Sequence, residues 1–121
     1  MKSLIGFAGI LVPISLSVPG NAQDISVSLS LNENTRVETS HYVCGDGTEK
    51  TVRYLSGGSN QLALFSVNEE SLVFVNVISG SGSRYVSGPY EWWTKGNEGT
   101  LTNTTSEDEQ VQCTEKVVGA D

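Results

Sequence analysis

A two-residue alternation of apolar and polar side chains begins after Asp24 and returns in short segments through the rest of the chain. It is first seen at Ile25, Val27, Leu29 and Leu31, and the later segments are rich in β-branched and aromatic residues. Alternation of this kind is typical of strands that bury one face, and no helical spacing persists for three turns. The sequence therefore predicts an all-β domain.

Turn-forming residues divide this region into nine predicted strands, at residues 25–31, 37–44, 51–55, 62–67, 72–78, 84–87, 90–94, 99–103 and 110–115. In a domain of about a hundred residues, short strands form an antiparallel sandwich or a barrel. We favour a small antiparallel barrel of about eight strands, because closure leaves no exposed edge strand. Residues 72–78 are apolar at nearly every position, so we expect that strand to be buried on both faces or to form the most covered wall.

The first 22 residues are predicted to be a secretory signal peptide. Lys2 precedes an apolar run that ends near Val18, and Asn21-Ala22 supplies small residues for cleavage. A retained transmembrane anchor is the weaker alternative, because the run is interrupted and short for a membrane span. No cysteine near the cut could carry a lipid, so we expect residues 23–121 to form one exported, soluble domain that does not bind the membrane.

Cys44 and Cys113 are the two cysteines of the chain and lie 113 − 44 = 69 positions apart. An exported domain of 121 − 22 = 99 residues buries a modest core, and its cysteines are commonly oxidised. We therefore predict one disulfide that joins the start of the domain to its end. A reactive or metal-binding pair is the alternative, but no second pair of ligands accompanies it, and we expect no metal or cofactor.

The chain is acidic, with 7 Lys and Arg against 14 Asp and Glu and a net charge of −7. Loss of Lys2 with the signal peptide makes the mature charge −7 − 1 = −8. Nucleic acid and anionic membrane surfaces are therefore unsuitable partners. Acidity can serve solubility alone, but it also permits attraction to a strongly basic partner.

Two turns, Ser79-Gly80-Ser81-Gly82 and Lys95-Gly96, flank one predicted hairpin whose centre is Gly88. Ser81 precedes Gly88 by 88 − 81 = 7 positions, and Lys95 follows it by 95 − 88 = 7. Legs of equal length in neighbouring strands end at the same level. We therefore predict that Ser81 and Lys95 lie on one rim of the barrel.

A rim of this kind presents a serine hydroxyl and a lysine ammonium side by side. Glycine lets the backbone approach a partner closely, and lysine carries a compact charge on a long stem that can enter an acidic cleft. Either turn taken alone is most often an ordinary solvated loop. Of the adjacent tryptophans, we expect Trp92 to enter the core and Trp93 to face outward near the rim as a contact residue.

These residues resemble the family of periplasmic and membrane-bound inhibitors of c-type lysozyme. The resemblance covers residues 42–113 and rests on five features, namely Tyr42-Val43-Cys44, Val52-Arg53-Tyr54, the run from Ser79 to Tyr85, the run from Trp92 to Gly96 with Leu101, and Cys113. It implies an eight-stranded antiparallel barrel without catalytic activity that acts in the periplasm. It also implies that a serine loop and a lysine loop enter the lysozyme cleft and bind its catalytic carboxylates.

Carried onto this sequence, the resemblance assigns lysozyme binding to a small set of residues, namely Ser81, Lys95, Gly80, Gly82, Tyr85, Gly96 and Trp93. Three departures from the family pattern stand out. Gly99 replaces a common alanine, which we expect to change little. Glu91 replaces an expected aromatic residue, whose role Tyr90 or Trp92 would take over. Residues 25–31 lie outside the similarity. Three roles are open for this segment, namely an extra strand, a homodimer contact and a disordered arm.

Two other classes of function, an enzyme and a ligand-binding barrel, fit the sequence less well than an inhibitor. An enzyme is disfavoured because His41 is the single histidine and Ser81 lacks the flanking residues of a nucleophile elbow. A small secreted barrel that binds a ligand is the alternative to the inhibitor. Large aliphatic residues at most inward positions argue against it, since they leave little interior to hollow out.

Overall fold

The computed structural model describes residues 26–28, 30, 34–106 and 109–117. Within these residues the chain forms eight strands and no helix, with bounds β1 Arg36–Cys44, β2 Glu49–Gly57, β3 Asn60–Val67, β4 Glu70–Val77, β5 Ser83–Ser87, β6 Tyr90–Lys95, β7 Glu98–Asn103 and β8 Gln110–Glu115. The predicted signal peptide lies outside the described residues. In the described part of the chain, no helix has the length and apolar character needed to cross a membrane.

The eight strands form one closed barrel in which every strand pairs with its neighbours in sequence. All pairings are antiparallel, and β1 returns to pair with β8. This confirms the prediction of a barrel over a sandwich. The physical reason is local, because each connection between consecutive strands is short and favours a hairpin.

Eight of the nine predicted strands are present, each with ends within two residues of the prediction. The strand predicted at residues 25–31 is not formed by its described members, since Ser26 to Ser28 and Ser30 are outside any strand. Val27 in that segment is 79% exposed. A closed barrel explains this outcome, because it offers no free edge to a ninth strand. Ile25, Leu29 and Leu31 lie outside the described residues.

The barrel interior is filled by side chains from alternate positions of the strands. Trp92, Phe74 and Val52 are the largest fully buried side chains. Phe65 stacks on Phe74 with ring centroids 4.4 Å apart, and Tyr42 meets Trp92 edge to face at 5.0 Å. The predicted inward direction of Trp92 is confirmed, and the aromatic cluster occupies the space that a carrier barrel would leave for a ligand.

The prediction that β4 is buried on both faces or forms the most covered wall is wrong, since β4 has one buried residue and the neighbouring β3 has three. Phe74 is fully buried, but Val73 and Val75 on either side of it are 53% and 50% exposed. A single-walled barrel without helices has solvent on its outside, so apolar character at every position does not by itself bury both faces. The outer wall of β4 is therefore apolar and solvent-exposed.

The barrel closes at a short seam between its first and last strands. Only three residue pairs join β1 to β8, ending at Cys44 opposite Cys113. A disulfide links these two cysteines across a sequence separation of 69 residues. The predicted bridge between the start and the end of the domain is thus confirmed, and it lies where the sheet closes on itself.

Candidate functional site

Strand directions divide the connections of the barrel between two ends. We call one end the upper rim, formed by the connecting residues 58–59, 78–82 and 96–97 and the strand ends beside them. The opposite end, the lower rim, is formed by residues 45–48, 68–69 and 88–89, by the β7–β8 connection that begins at residue 104, and by their flanking strand ends. The serine turn and the lysine turn therefore lie on the same rim, as the sequence predicted.

The register of the central hairpin defines how the two turns face each other. The β5–β6 pairing runs from Ser87 opposite Tyr90 to Ser83 opposite Thr94. Continued by one step, this register places Lys95 beside Gly82 rather than beside Ser81. The prediction that Lys95 lies opposite Ser81 assumed a turn centred on Gly88. The turn is instead centred between Gly88 and Pro89, which shifts the pairing by one residue.

The Ser-Gly loop, which we define as residues 79–82, is held against β6. The indole Nε1 of Trp93 donates a hydrogen bond to the backbone carbonyl of Ser81 at 2.9 Å. The Ser79 hydroxyl donates to the same carbonyl at 2.7 Å. Gly82 has a φ of +69°, and a Cβ there would collide with the carbonyl of Thr94. The loop therefore needs glycine at position 82, both for its backbone conformation and for its close approach to β6.

An ion pair stands at the base of the same loop. Arg84 Nε donates to the Glu91 carboxylate at 2.6 Å across the β5–β6 hairpin. Arg84 Nη1 also lies 3.4 Å from the carbonyl of Ile78, where the loop leaves β4. Glu91 therefore pairs with an arginine in place of supplying an aromatic ring. Neither proposed substitute takes over at the rim, because Tyr90 begins β6 at the lower rim and Trp92 is buried.

The two residues at the centre of the prediction are both exposed on the upper rim. Among the described residues, neither the Ser81 hydroxyl nor the Lys95 ammonium is within hydrogen-bonding or ion-pairing distance of another side chain. Gly80 and Gly96 are exposed beside them, and Gly96 has a φ of +60° that suits its turn. The hydroxyl and the ammonium are therefore free to bind an external partner.

Tyr85 differs from the other predicted contact residues because its side chain points into the barrel. It is buried, and its ring lies 5.7 Å from that of Tyr54. Trp93 is half-buried on the outside of β6, as expected for the second of two adjacent strand residues. The structure thus places the predicted residues toward one rim, but their side chains differ in how far they are exposed to a partner.

A concavity of about 700 Å³ opens beside these turns at the mouth of the barrel. Its wall includes Thr94 and Gly96, and three tyrosines line its inner part, namely Tyr42, Tyr54 and Tyr85. This concavity is not among the features predicted from the sequence. All three tyrosines occupy inward-facing positions of their strands. Their closeness to one another follows only from the strand register, which the sequence does not show.

The three phenols form a protonated polar layer above the core. Trp92 Nε1 donates to the Tyr54 hydroxyl at 2.9 Å, and the hydroxyls of Tyr54 and Tyr42 lie 2.8 Å apart. Burial raises the pKa of all three tyrosines above the usual value. The mouth therefore presents neutral hydroxyls at physiological pH. No group of three or more His, Cys, Asp or Glu residues is placed to hold a metal ion in the described part of the chain.

Comparison with known proteins gives consistent results. A family model described as the membrane-bound lysozyme inhibitor of c-type lysozyme matches residues 42–110. A protein of that description from Pseudomonas aeruginosa is 39% identical over 109 residues, covering 84% of this chain and 86% of the relative. Another, from Cupriavidus necator, is 45% identical over 65 residues, covering 54% of this chain and 52% of the relative.

A solved structure is similar as well. It is the crystal structure of the Pseudomonas aeruginosa inhibitor in complex with hen egg white lysozyme. The similarity has a TM-score of 0.67 at 40% sequence identity and covers 78% of this chain and 98% of the other. The chain described here therefore shares both sequence and barrel architecture with a protein crystallised on a c-type lysozyme.

Proposed function

Because this chain belongs to the family of membrane-bound lysozyme inhibitors of c-type lysozyme, we propose that it inhibits c-type lysozyme by inserting the Ser81 and Lys95 turns into the active-site cleft. Proteins of this family are binding proteins rather than enzymes. One observation carries the residue assignment: the Ser81 hydroxyl and the Lys95 ammonium are both exposed at the same rim, and neither has a side-chain partner within the described part of the chain. Blocking the cleft protects peptidoglycan from the enzyme.

The chemistry of the two groups matches that of a lysozyme active site. In such a site two carboxyl groups face each other across the cleft, and one is a protonated acid while the other is an ionised carboxylate. The Lys95 ammonium is suited to the ionised carboxylate, and the Ser81 hydroxyl can donate to or accept from the acid. Close charge pairs at a desolvated interface couple by roughly 1.5 to 7 kcal/mol.

The overall charge supports the same partner. The chain carries a net charge of −7, and c-type lysozymes are basic enzymes. Complementary fields of this kind raise the rate of encounter and weaken as salt is added. Lys95 is then a local positive charge on an acidic body, directed at the acidic cleft of a basic enzyme.

The test is inhibition of a c-type lysozyme by Ser81→Ala and by Lys95→Ala. We expect each variant to inhibit at least tenfold less well than the parent while its circular dichroism spectrum and melting temperature are unchanged. A matched control is Ser71→Ala, which removes an exposed serine hydroxyl at the lower rim, on the far side of the barrel. If Ser81→Ala and Lys95→Ala both inhibit as well as the parent, the assignment of the two turns is wrong.

We also propose that the mature domain acts as a soluble periplasmic protein after cleavage of the predicted signal peptide. The named relatives are membrane-bound, whereas both cysteines of this sequence are joined to each other. Osmotic shock of expressing cells should release the protein, and recovery in the membrane pellet would contradict the proposal. The sequence leaves a homodimer contact open as one of three roles for residues 25–31, and sedimentation analysis can test it.

A further inference from the structure

We propose that Trp93 is a positioning residue that fixes the Ser-Gly loop in its binding conformation before lysozyme arrives. From its place in the sequence, Trp93 is expected to contact the enzyme. The structure shows its indole N–H already occupied by the carbonyl of Ser81 within the same chain. The inference rests on the proposed function and deepens it, because it explains how the two inserted turns keep their spacing.

Trp93 is placed to connect the two turns. It lies on the outer face of β6, directly before Thr94 and two residues before Lys95. Its indole Nε1 donates to the Ser81 carbonyl at 2.9 Å, across twelve residues of sequence. The strand that ends in the lysine turn therefore also holds the middle of the serine turn.

The close approach of Gly82 strengthens the same link. A Cβ at Gly82 would come within 3.1 Å of Trp93 Nε1 and would overlap the carbonyl of Thr94. Glycine thus lets the loop lie directly on β6, where the indole can reach it. By contrast, a Cβ at Gly80 would meet no atom within 4 Å. The tip of the loop has open space around it, so its order depends on the anchored carbonyl next to it.

A second brace acts where the loop begins. Arg84 is oriented by its ion pair with Glu91 and lies 3.4 Å from the Ile78 carbonyl. Glu91 and Trp93 are both outward residues of β6. One strand therefore supplies both braces, at the start and in the middle of the loop.

Preordering of the loop has a specific kinetic consequence. A partner binds only the fraction of molecules whose loop is already in the correct conformation, and the apparent dissociation constant rises as that fraction falls. Loss of the Trp93 donor should therefore slow association. Loss of a group that contacts the enzyme should instead speed dissociation, as most interface substitutions do.

The decisive variant is Trp93→Phe, which keeps an aromatic ring on β6 and removes the N–H donor. In the free protein we expect faster amide hydrogen exchange and lower ¹⁵N order parameters at Gly80, Ser81 and Gly82, with the melting temperature nearly unchanged. With a c-type lysozyme we expect affinity to fall by about threefold to tenfold, the range that one lost hydrogen bond gives, with the loss in the association rate.

Two comparisons separate positioning from contact and from general stability. Ser81→Ala should weaken binding through the dissociation rate and leave loop mobility as in the parent. Glu91→Gln should mobilise the loop, whereas Glu49→Gln, which breaks the ion pair with Lys116, should not.

The outcomes for the two proposals are distinguishable. Unchanged loop mobility in Trp93→Phe would overturn the positioning role, whatever happens with lysozyme. Full inhibition by both Ser81→Ala and Lys95→Ala would overturn the proposed function, while the mobility of the free loop would still decide the role of Trp93.

Discussion

Replacing Gly99 by alanine should destabilise the barrel, although a glycine-to-alanine substitution usually stabilises a protein where the backbone conformation allows it. Gly99 is buried in β7, and its backbone is outside the left-handed region, so alanine fits the backbone conformation. The obstacle is the side chain, because a Cβ at this position would overlap Cη2 and Cζ2 of Trp92. This contact argues against the expectation from the family pattern that glycine in place of alanine changes little, and the variant tests that expectation.

The sign of the effect follows from two opposing magnitudes. Alanine restricts the unfolded chain and by itself would stabilise the protein by about 0.4–1 kcal/mol. An added methyl group in a packed core costs about 1–3 kcal/mol. The higher cost applies here because Trp92 has no room to move: its N–H is bound to Tyr54 at 2.9 Å, and its ring packs on Tyr42 and on Phe65, whose centroid is 5.1 Å away. A cost of about 3 kcal/mol less a gain of about 0.4–1 kcal/mol leaves a net loss of about 2 kcal/mol in the free energy of unfolding.

Urea unfolding followed by tryptophan fluorescence measures this change. Gly80→Ala is the matched control, since its Cβ would meet open space and its backbone is also outside the left-handed region. That control should be neutral or slightly stabilising. A Gly99→Ala variant as stable as the parent, or more stable, would refute the argument that Trp92 is immovable.

Two further predictions concern the seam and the polar layer. Replacing Cys44 and Cys113 together by alanine should lower the free energy of unfolding by about 4 kcal/mol, because the disulfide closes a loop with a sequence separation of 69 residues. Urea unfolding measures this loss, and a double variant as stable as the parent would contradict the prediction. Stability should also fall as the pH rises above about 10, because the raised pKa values of Tyr42, Tyr54 and Tyr85 mean that the unfolded chain releases these protons before the folded one. Absorbance at 295 nm should then rise together with unfolding, and full ionisation of the tyrosines in a folded barrel would argue against a buried layer.

The strands could be predicted from the sequence because their determinants are local. Alternation and turn chemistry defined the bounds of β8 without error, and they placed the serine and lysine turns at one rim. Contacts between strands could not be predicted in this way. The packing of Trp92 against Gly99 and the hydrogen bond from Trp93 to Ser81 depend on the strand register, which a one-residue error in the turn is enough to change.

The exposed valines of β4 show a second limit of sequence reasoning. Apolar character at consecutive positions indicates burial only when the number of covering layers is known. In this barrel Phe74 faces the core, while Val73 and Val75 face the solvent. The alternation between buried and exposed residues therefore arises because the barrel is a single closed sheet. It cannot be predicted from the composition of β4 alone.

The adjacent pair Trp92 and Trp93 links the stability of the barrel to its proposed function. Successive strand residues point to opposite faces, so one indole is buried among the core rings and donates to Tyr54, while the other donates to the Ser81 carbonyl outside. A one-residue slip of β6 would exchange the two faces and remove both hydrogen bonds at once. The register that fills the core is thus the same register that orders the loop. Substitutions that shift β6 should consequently reduce stability and lysozyme binding together, whereas Trp93→Phe should separate them.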